Sequence, residues 1–291
     1  MFNIITRPAM LLAAGMFALL ASSVICAKEP PVYTVGVVPQ YEALQLADTW
    51  LPLLEDVGAR AGVRLVMVGS PAIPDFEQAF SAGEFDFAYM NPYHAIMAQR
   101  SQGYQPVLRD GDRLLFGILV VRADSDINTV ADLQGARIAF PAPNALGASL
   151  LMRANLVREF DLQFEPVYAQ THSSSYLSVM LNKAEAAGGV RSTLDQQPAM
   201  YQNNLRVIYE SQRVPSHPVV AHPRVPAETV LRVRDAFMAL GETAEGRALL
   251  GKIPMTRPTP TDARDYRPIE ILNLEEFFVP AGGELAAEGE G

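Results

Sequence analysis

Phe85-Asp86-Phe87-Ala88-Tyr89-Met90-Asn91-Pro92-Tyr93 is an apolar run that stops abruptly at a polar, aromatic corner opened by proline. The pattern predicts a buried strand ending at Tyr89, with a helix beginning at Pro92. In open α/β sheets the crevice beyond the carboxyl ends of the strands is where small molecules sit, so Tyr89, Asn91 and Tyr93 are placed to read one. From Tyr89 to Tyr93 the corner holds no Ser, Cys, Asp or Glu, which tilts it from catalysis toward binding.

Outward from that corner, short β-rich runs alternate with helical spacing, the mark of an α/β architecture with mainly parallel strands. Strands are predicted at 33–38, 63–68, 105–108, 137–140, 164–168, 187–190 and 206–209. Between the first two, Leu44, Ala47, Leu51, Leu54, Val57 and Ala61 recur at helical spacing and Gly62 closes the helix. Pro52 either falls in the first turn of a segment capped by Thr49 or kinks it. The run 114–121 is long enough to carry the chain into a second lobe. The segment 215–226, with four prolines, reads as a return crossing. Helices at 228–240 and near 265–277 finish the chain. The predicted division is 1–27 as an export signal, 28–118 as the first part of lobe 1, 119–212 as lobe 2, 213–280 as the return to lobe 1 with its C-terminal helices, and 281–291 as a disordered acidic tail.

The export signal rests on Arg7 followed by an apolar run from Ala9 to Val24 and a small-residue end at Ala27, before the charged Lys28-Glu29. Read as a cleaved signal it places the mature chain in the periplasm; an uncleaved anchor helix is the alternative. Cys26 is the only cysteine, and Ile25 before it argues against lipidation. Cleavage after Ala27 leaves a chain with no disulfide, thiolate metal site or cysteine nucleophile. The formal charge of -9 becomes about -10 once Arg7 is gone, which argues against nucleic acid but not against a small anion held by local donors.

Three further strand ends carry candidate chemistry. After Phe140, the turn through Asn144, Ala145 and Leu146 opens a helix whose first N–H groups form a ready anion site, and the Asn144 amide can cap the helix or reach a ligand. After Tyr168, the sequence Thr171-His172-Ser173-Ser174-Ser175 opens another helix. His172 and Ser173 there either donate to an oxyanion or belong to an ordinary hydroxyl cap. Arg191, after the run 186–190, offers a planar fork for an anion or an ion pair with Asp195. His94, His217 and His222 show no metal-ligand spacing with a nearby carboxylate, so no metal and no cofactor is predicted. The chain lacks a Gly-Xaa-Ser-Xaa-Gly elbow, a P-loop and a Gly-rich dinucleotide fingerprint, so it is read as a non-enzyme.

Val37-Val38-Pro39-Gln40, the 85–93 corner, Ala131-Asp132-Leu133-Gln134-Gly135 before Arg137-Ile138-Ala139-Phe140, and Thr171-His172-Ser173 together resemble the periplasmic solute-binding proteins of phosphonate, phosphite and phosphate ABC transporters. The resemblance spans about 33–250. It implies a two-lobed type II periplasmic-binding-protein fold, each lobe a mainly parallel sheet flanked by helices, with a small anionic solute enclosed in the cleft by hinge closure. It also implies that Tyr89 and His172 hold the oxyanion, with Gln40, Tyr41 and Tyr93 as walls. The usual hydroxyl run at the helix opening is replaced here by Asn144-Ala145-Leu146, and Arg191 stands where aminophosphonate binders tend to place an acid. The implied partner is a transporter permease at the inner membrane. A sensor kinase served by the same fold, or a cofactor-biosynthetic enzyme built on it, are the competing expectations.

Overall fold

The computed structural model of the chain describes residues 29–253 and 255–280. The predicted export signal, Cys26 and the acidic tail lie outside these residues.

Lobe 1 begins with β1 (Val32–Val37), α1 (Ala43–Ala61), β2 (Arg64–Val68), α2 (Ile73–Ser81), β3 (Phe87–Tyr89), α3 (Pro92–Gln102) and β4 (Gln105–Asp110). Helix α1 buries Leu46, Trp50, Leu53, Leu54, Val57 and Ala61 at three- and four-residue spacing, and ends where Gly62 turns left-handed at φ 66°. It starts at Ala43, so Pro52 lies inside it and Thr49 is no cap; the Thr49 hydroxyl instead bonds the Gln45 carbonyl at 2.8 Å.

The predicted long strand at 114–121 is divided. Leu114–Leu115 forms β5, and Gly117–Arg122 forms β6 in the second lobe. Lobe 2 continues through β7 (Arg137–Phe140), a π-turn (Leu146–Leu150), α4 (Leu151–Phe160), β8 (Glu165–Tyr168), α5 (His172–Met180) and β9 (Ala186–Val190). It closes with α6 (Arg191–Asp195), α7 (Ala199–Asn204) and β10 (Leu205–Glu210). The chain returns along β11 (Val214–Pro215), which pairs antiparallel with β5, so the two crossings form a short two-stranded hinge. Then β12 (Pro218–Ala221), α8 (Ala227–Leu240), α9 (Ala244–Lys252) and β13 (Pro258–Pro260) complete the first lobe.

The two sheets have strand orders β13-β4-β12-β3-β1-β2 and β10-β6-β9-β7-β8. In lobe 1, β1 to β4 run one way and β12 and β13 return against them. In lobe 2 only β6 opposes the rest. Period-two alternation sends Leu119 and Val121 to one face of that sheet and Ile118 and Val120 to the other, each into its own apolar cluster. The apolar cluster of lobe 1 continues across the divide to Ala145, Leu146, Ala148 and Val190, so the lobes are packed against each other.

The predicted helix near 265–277 is broken into α10 (Arg267–Glu270) and 3-10 turns at Ala263–Tyr266 and Glu275–Phe277. Pro268 can only open a helix, and Asn273 turns left-handed at φ 49°, which stops it. The chain after it crosses onto lobe 2 as a strap. Arg158 donates to the carbonyls of Leu272 and Asn273, and Arg153 to that of Phe277 at 2.5 Å.

Candidate functional site

Each residue around the gap between the lobes sits where topology places it. Val38 and Gln40 follow β1, Ile73 follows β2, Asn91 follows β3, Ala145 to Ala148 follow β7, His172 follows β8 and Val190 ends β9. His217 precedes β12, and because β12 runs antiparallel to β3, its amino end lies beside the Tyr89 end of β3. The gap is therefore the crevice at the carboxyl ends of two facing sheets. Its cavity volume is about 10 Å³, room for little more than one water-sized sphere. A tetrahedral oxyanion is several times larger, so admitting one requires the lobes to part.

The second lobe contributes main-chain donors. Ser149 and Leu150 both donate to Ala145 O, and the Leu151 N–H reaches back five residues to Leu146 O, which widens the turn. Among the described residues nothing accepts from the N–H groups of Leu146, Gly147 and Ala148, the unpaired donors of a helix start. Glycines bring the turn close to the sheet. A Cβ at Gly117 would strike the Gly147 carbonyl and one at Gly188 the Ala148 carbonyl.

Side chains frame these amides. His172 is 3% exposed, its N–H donates to Gln40 O of the other lobe at 3.3 Å, and its Nδ1 lies 3.3 Å from Thr193 Oγ1. Burial pushes the His172 imidazole down to about 4. His217 stacks on Tyr89 at 5.4 Å between ring centroids and lies 3.4 Å from Gln40 Nε2. Burial, with smaller contributions from His94 and His172, pushes it down to about 3. Both rings are neutral near pH 7. Asn91 accepts from the His94 N–H to cap α3 and donates to the Asn144 carbonyl at 3.1 Å. The gap lining contains no Lys, Arg, Asp or Glu among the described residues.

Gln40, Asn91, Ala145, Leu146 and His172 thus come together at the gap. The other sequence-predicted residues do not line it. Tyr89 is turned into the lobe 1 core, 4.8 Å from Trp50, with its hydroxyl raised above its ordinary range by burial. Tyr93 packs on Phe278 at 5.6 Å. Tyr41 bridges the lobes, donating to Gln196 Oε1 at 2.7 Å, and burial raises its hydroxyl too. Asn144 is not a cap. Its Nδ2 donates to Glu77 Oε2 at 3.0 Å and Val279 O at 2.6 Å, while Oδ1 accepts from the Val279 N–H at 3.0 Å. Ser173 lies in the first turn of α5, outside the gap. Arg191 is 46% exposed and paired with Asp195 at 3.3 Å in a separate surface groove beside the hinge.

Sequence reasoning passed over His217, Gly147 and Ala148. The signal for His217 was its place just before a return strand, which puts it at the same edge as the carboxyl ends of the parallel strands. For Gly147 and Ala148 only the backbone matters, and residue type carries little trace of that. Behind the site, the buried Glu77 carboxylate accepts from His94 Nε2 at 2.9 Å as well as from Asn144.

A family model described as "ABC transporter, phosphonate, periplasmic substrate-binding protein" matches residues 35–266. The phosphonates-binding periplasmic protein of Escherichia coli (strain K12) is 24% identical over 255 residues, covering 82% of this chain and 75% of that protein. In structure, the chain is similar to a binding protein component of an ABC phosphonate transporter from Pseudomonas aeruginosa (TM-score 0.74, 20% identity, 89% of this chain and 91% of that one). It is also similar to PhnD1 from Prochlorococcus marinus (MIT 9301), solved in complex with methylphosphonate (TM-score 0.76, 14% identity, 84% and 97%).

Proposed function

The chain belongs to the family of periplasmic substrate-binding proteins of phosphonate ABC transporters, and from that premise we propose that it captures a small phosphonate-like oxyanion between its lobes and delivers it to a transporter permease. One observation carries the reading at the level of residues. Three adjacent N–H groups, of Leu146, Gly147 and Ala148, meet a gap also lined by His172, His217, Gln40 and Asn91. Such a set serves an anion. Amide dipoles fixed by the fold need no reorganisation on binding, and closure excludes the water that would compete for them. The hinge of β5 and β11 supplies the pivot.

The same reading makes residues 1–27 a signal removed on export, so the intact mass of protein recovered from the periplasm should begin at Lys28. Binding is a non-covalent job on this reading: among the described residues the gap lining holds no Ser, Thr, Cys, Lys, Asp or Glu. Calorimetric titration with methylphosphonate, phosphite and phosphate tests the proposal. It expects saturable one-to-one binding of at least one of them, and heat of dilution alone for all three would refute it.

A further inference from the structure

Among the described residues the gap lining offers an anion no cation, yet a guanidinium stands just outside it. Arg153, in the first turn of α4, sends its side chain back toward the amino end of the helix, the direction that long helical side chains take. Its Nε donates to Ser149 Oγ at 3.2 Å, and its Nη2 donates to the carbonyls of Pro143 at 3.0 Å and Phe277 at 2.5 Å. Ser149 is fully buried and follows Ala148 directly, while Pro143 stands three residues before Leu146. The guanidinium therefore brackets, from outside the gap, the turn whose Leu146, Gly147 and Ala148 N–H groups meet it.

That charge has no counter-ion. Its three acceptors are neutral oxygens, and among the described residues no carboxylate pairs with it. Arg158, further along the same helix, differs in having Glu276 of the strap as its partner. Glu77, the carboxylate that the turn holds through Asn144 at 3.0 Å, pairs with His94 Nε2 at 2.9 Å instead. The strap also takes water from Arg153, laying the Phe277 ring with its centroid 6.0 Å from the guanidinium carbon. Burial pushes the Arg153 guanidinium below its ordinary range, against a smaller opposing effect of Tyr168 on β8. A cation that has lost hydration without gaining a partner costs stability, and a ligand carrying the missing charge recovers it.

On the functional reading above, we propose that Arg153 is the counter-ion of the bound oxyanion, supplying from behind the amide turn, without touching the ligand, the positive charge that the gap lining lacks. The turn is packed and dry, so the field of the guanidinium reaches the gap through a medium of far lower dielectric than water. Amide dipoles orient the ligand oxygens, and the full charge behind them sets how many negative charges the site prefers. A dianion gains twice what a monoanion gains, so the site selects the doubly ionised form of a phosphonate. This is how a chain of net charge -9 holds an anion in a lining without a cation.

Calorimetric titration of the whole chain, of Arg153→Gln and of Arg153→Lys with methylphosphonate tests this. Lys keeps the charge, whereas Gln keeps a hydrogen-bond donor without it. Arg153→Gln should bind at least about tenfold more weakly than the parent, and Arg153→Lys should recover most of that loss. On the unmodified protein, affinity should rise at least about threefold as pH passes upward through the ligand's second ionisation, which for phosphate esters lies near neutrality. His172 and His217, held near 4 and 3, stay neutral throughout that range. This measurement decides the matter even if a variant does not fold. An Arg153→Gln loss below about tenfold, an Arg153→Lys affinity no better than that of Arg153→Gln, or an affinity flat across the ligand's ionisation overturns the proposal while leaving the functional reading intact. No binding of methylphosphonate, phosphite or phosphate by the parent removes the reading, and the proposal with it.

Discussion

Asn91 in lobe 1 donates from Nδ2 to the backbone carbonyl of Asn144 in lobe 2 at 3.1 Å, so the residue that caps α3 also grips the turn leading to the amide cluster. Two more bonds cross the divide nearby, His172 N–H to Gln40 O at 3.3 Å and Tyr41 to Gln196 at 2.7 Å. A closure held by them can open and shut at small net cost, because each intramolecular hydrogen bond contributes only about 1 kcal/mol over its hydrated state.

Asn144 is the firmest of the latches, since one amide holds both Glu77 and the Val279 backbone. Asn144→Ala leaves the Glu77 carboxylate short of one donor and frees the strap. Stability should fall by about 1–3 kcal/mol in urea denaturation, and scattering should show a larger radius of gyration for the ligand-free variant than for the parent.

Acid should weaken the folded state early. His172 is held near 4 and His217 near 3, against 6.5 for the ordinary imidazole. Between about 6.5 and 4 the unfolded chain takes up protons that the folded chain refuses. Stability complete above 6.5 is therefore lost as pH falls, by up to about 1.4 kcal/mol per unit for each ring. Urea midpoints followed across this window should show that decline. His172→Gln should show a shallower one.

Gly188 on β9 faces the Ala148 carbonyl with no room for a methyl group. Gly188→Ala must push the π-turn off the sheet or bend the sheet, at a cost of about 1–3 kcal/mol. Where the variant folds, it should bind methylphosphonate at least about tenfold more weakly, because the amides no longer converge.

Arg191 looked like an anion fork from its strand-end position, yet it is exposed and tied to Asp195. Arg191→Ala should change methylphosphonate affinity by less than about threefold and stability by less than about 1 kcal/mol. Calorimetry and a thermal melt measure both.

How much was legible follows from what each feature depends on. Strand-and-helix alternation with period-two and helical spacing carried the two lobes, and the strand-end rule carried the crevice, because both are local patterns in residue type. Asn91, Ala145, Leu146 and His172 were placed at the gap that way, and Gln40 through the family resemblance. Tyr89 sits at the right strand end but points into the core, and side-chain direction there depends on pairing register, which local pattern leaves open; Tyr93 lies in the first turn of α3 and packs on Phe278. The predicted C-terminal helix failed for a local reason, the Pro268 and Asn273 breaks, while its conversion into a strap depends on contacts with Arg153 and Arg158 more than a hundred residues away in sequence. His217 needed the antiparallel placement of β12, a fact of topology rather than of composition.

A crystal structure of the protein grown with methylphosphonate tests the central claim most directly. The account predicts the ligand enclosed between the lobes, with its oxygens about 3 Å from the N–H groups of Leu146, Gly147 and Ala148. Methylphosphonate seated elsewhere, such as the Arg191 groove, with those three amides untouched, would contradict it.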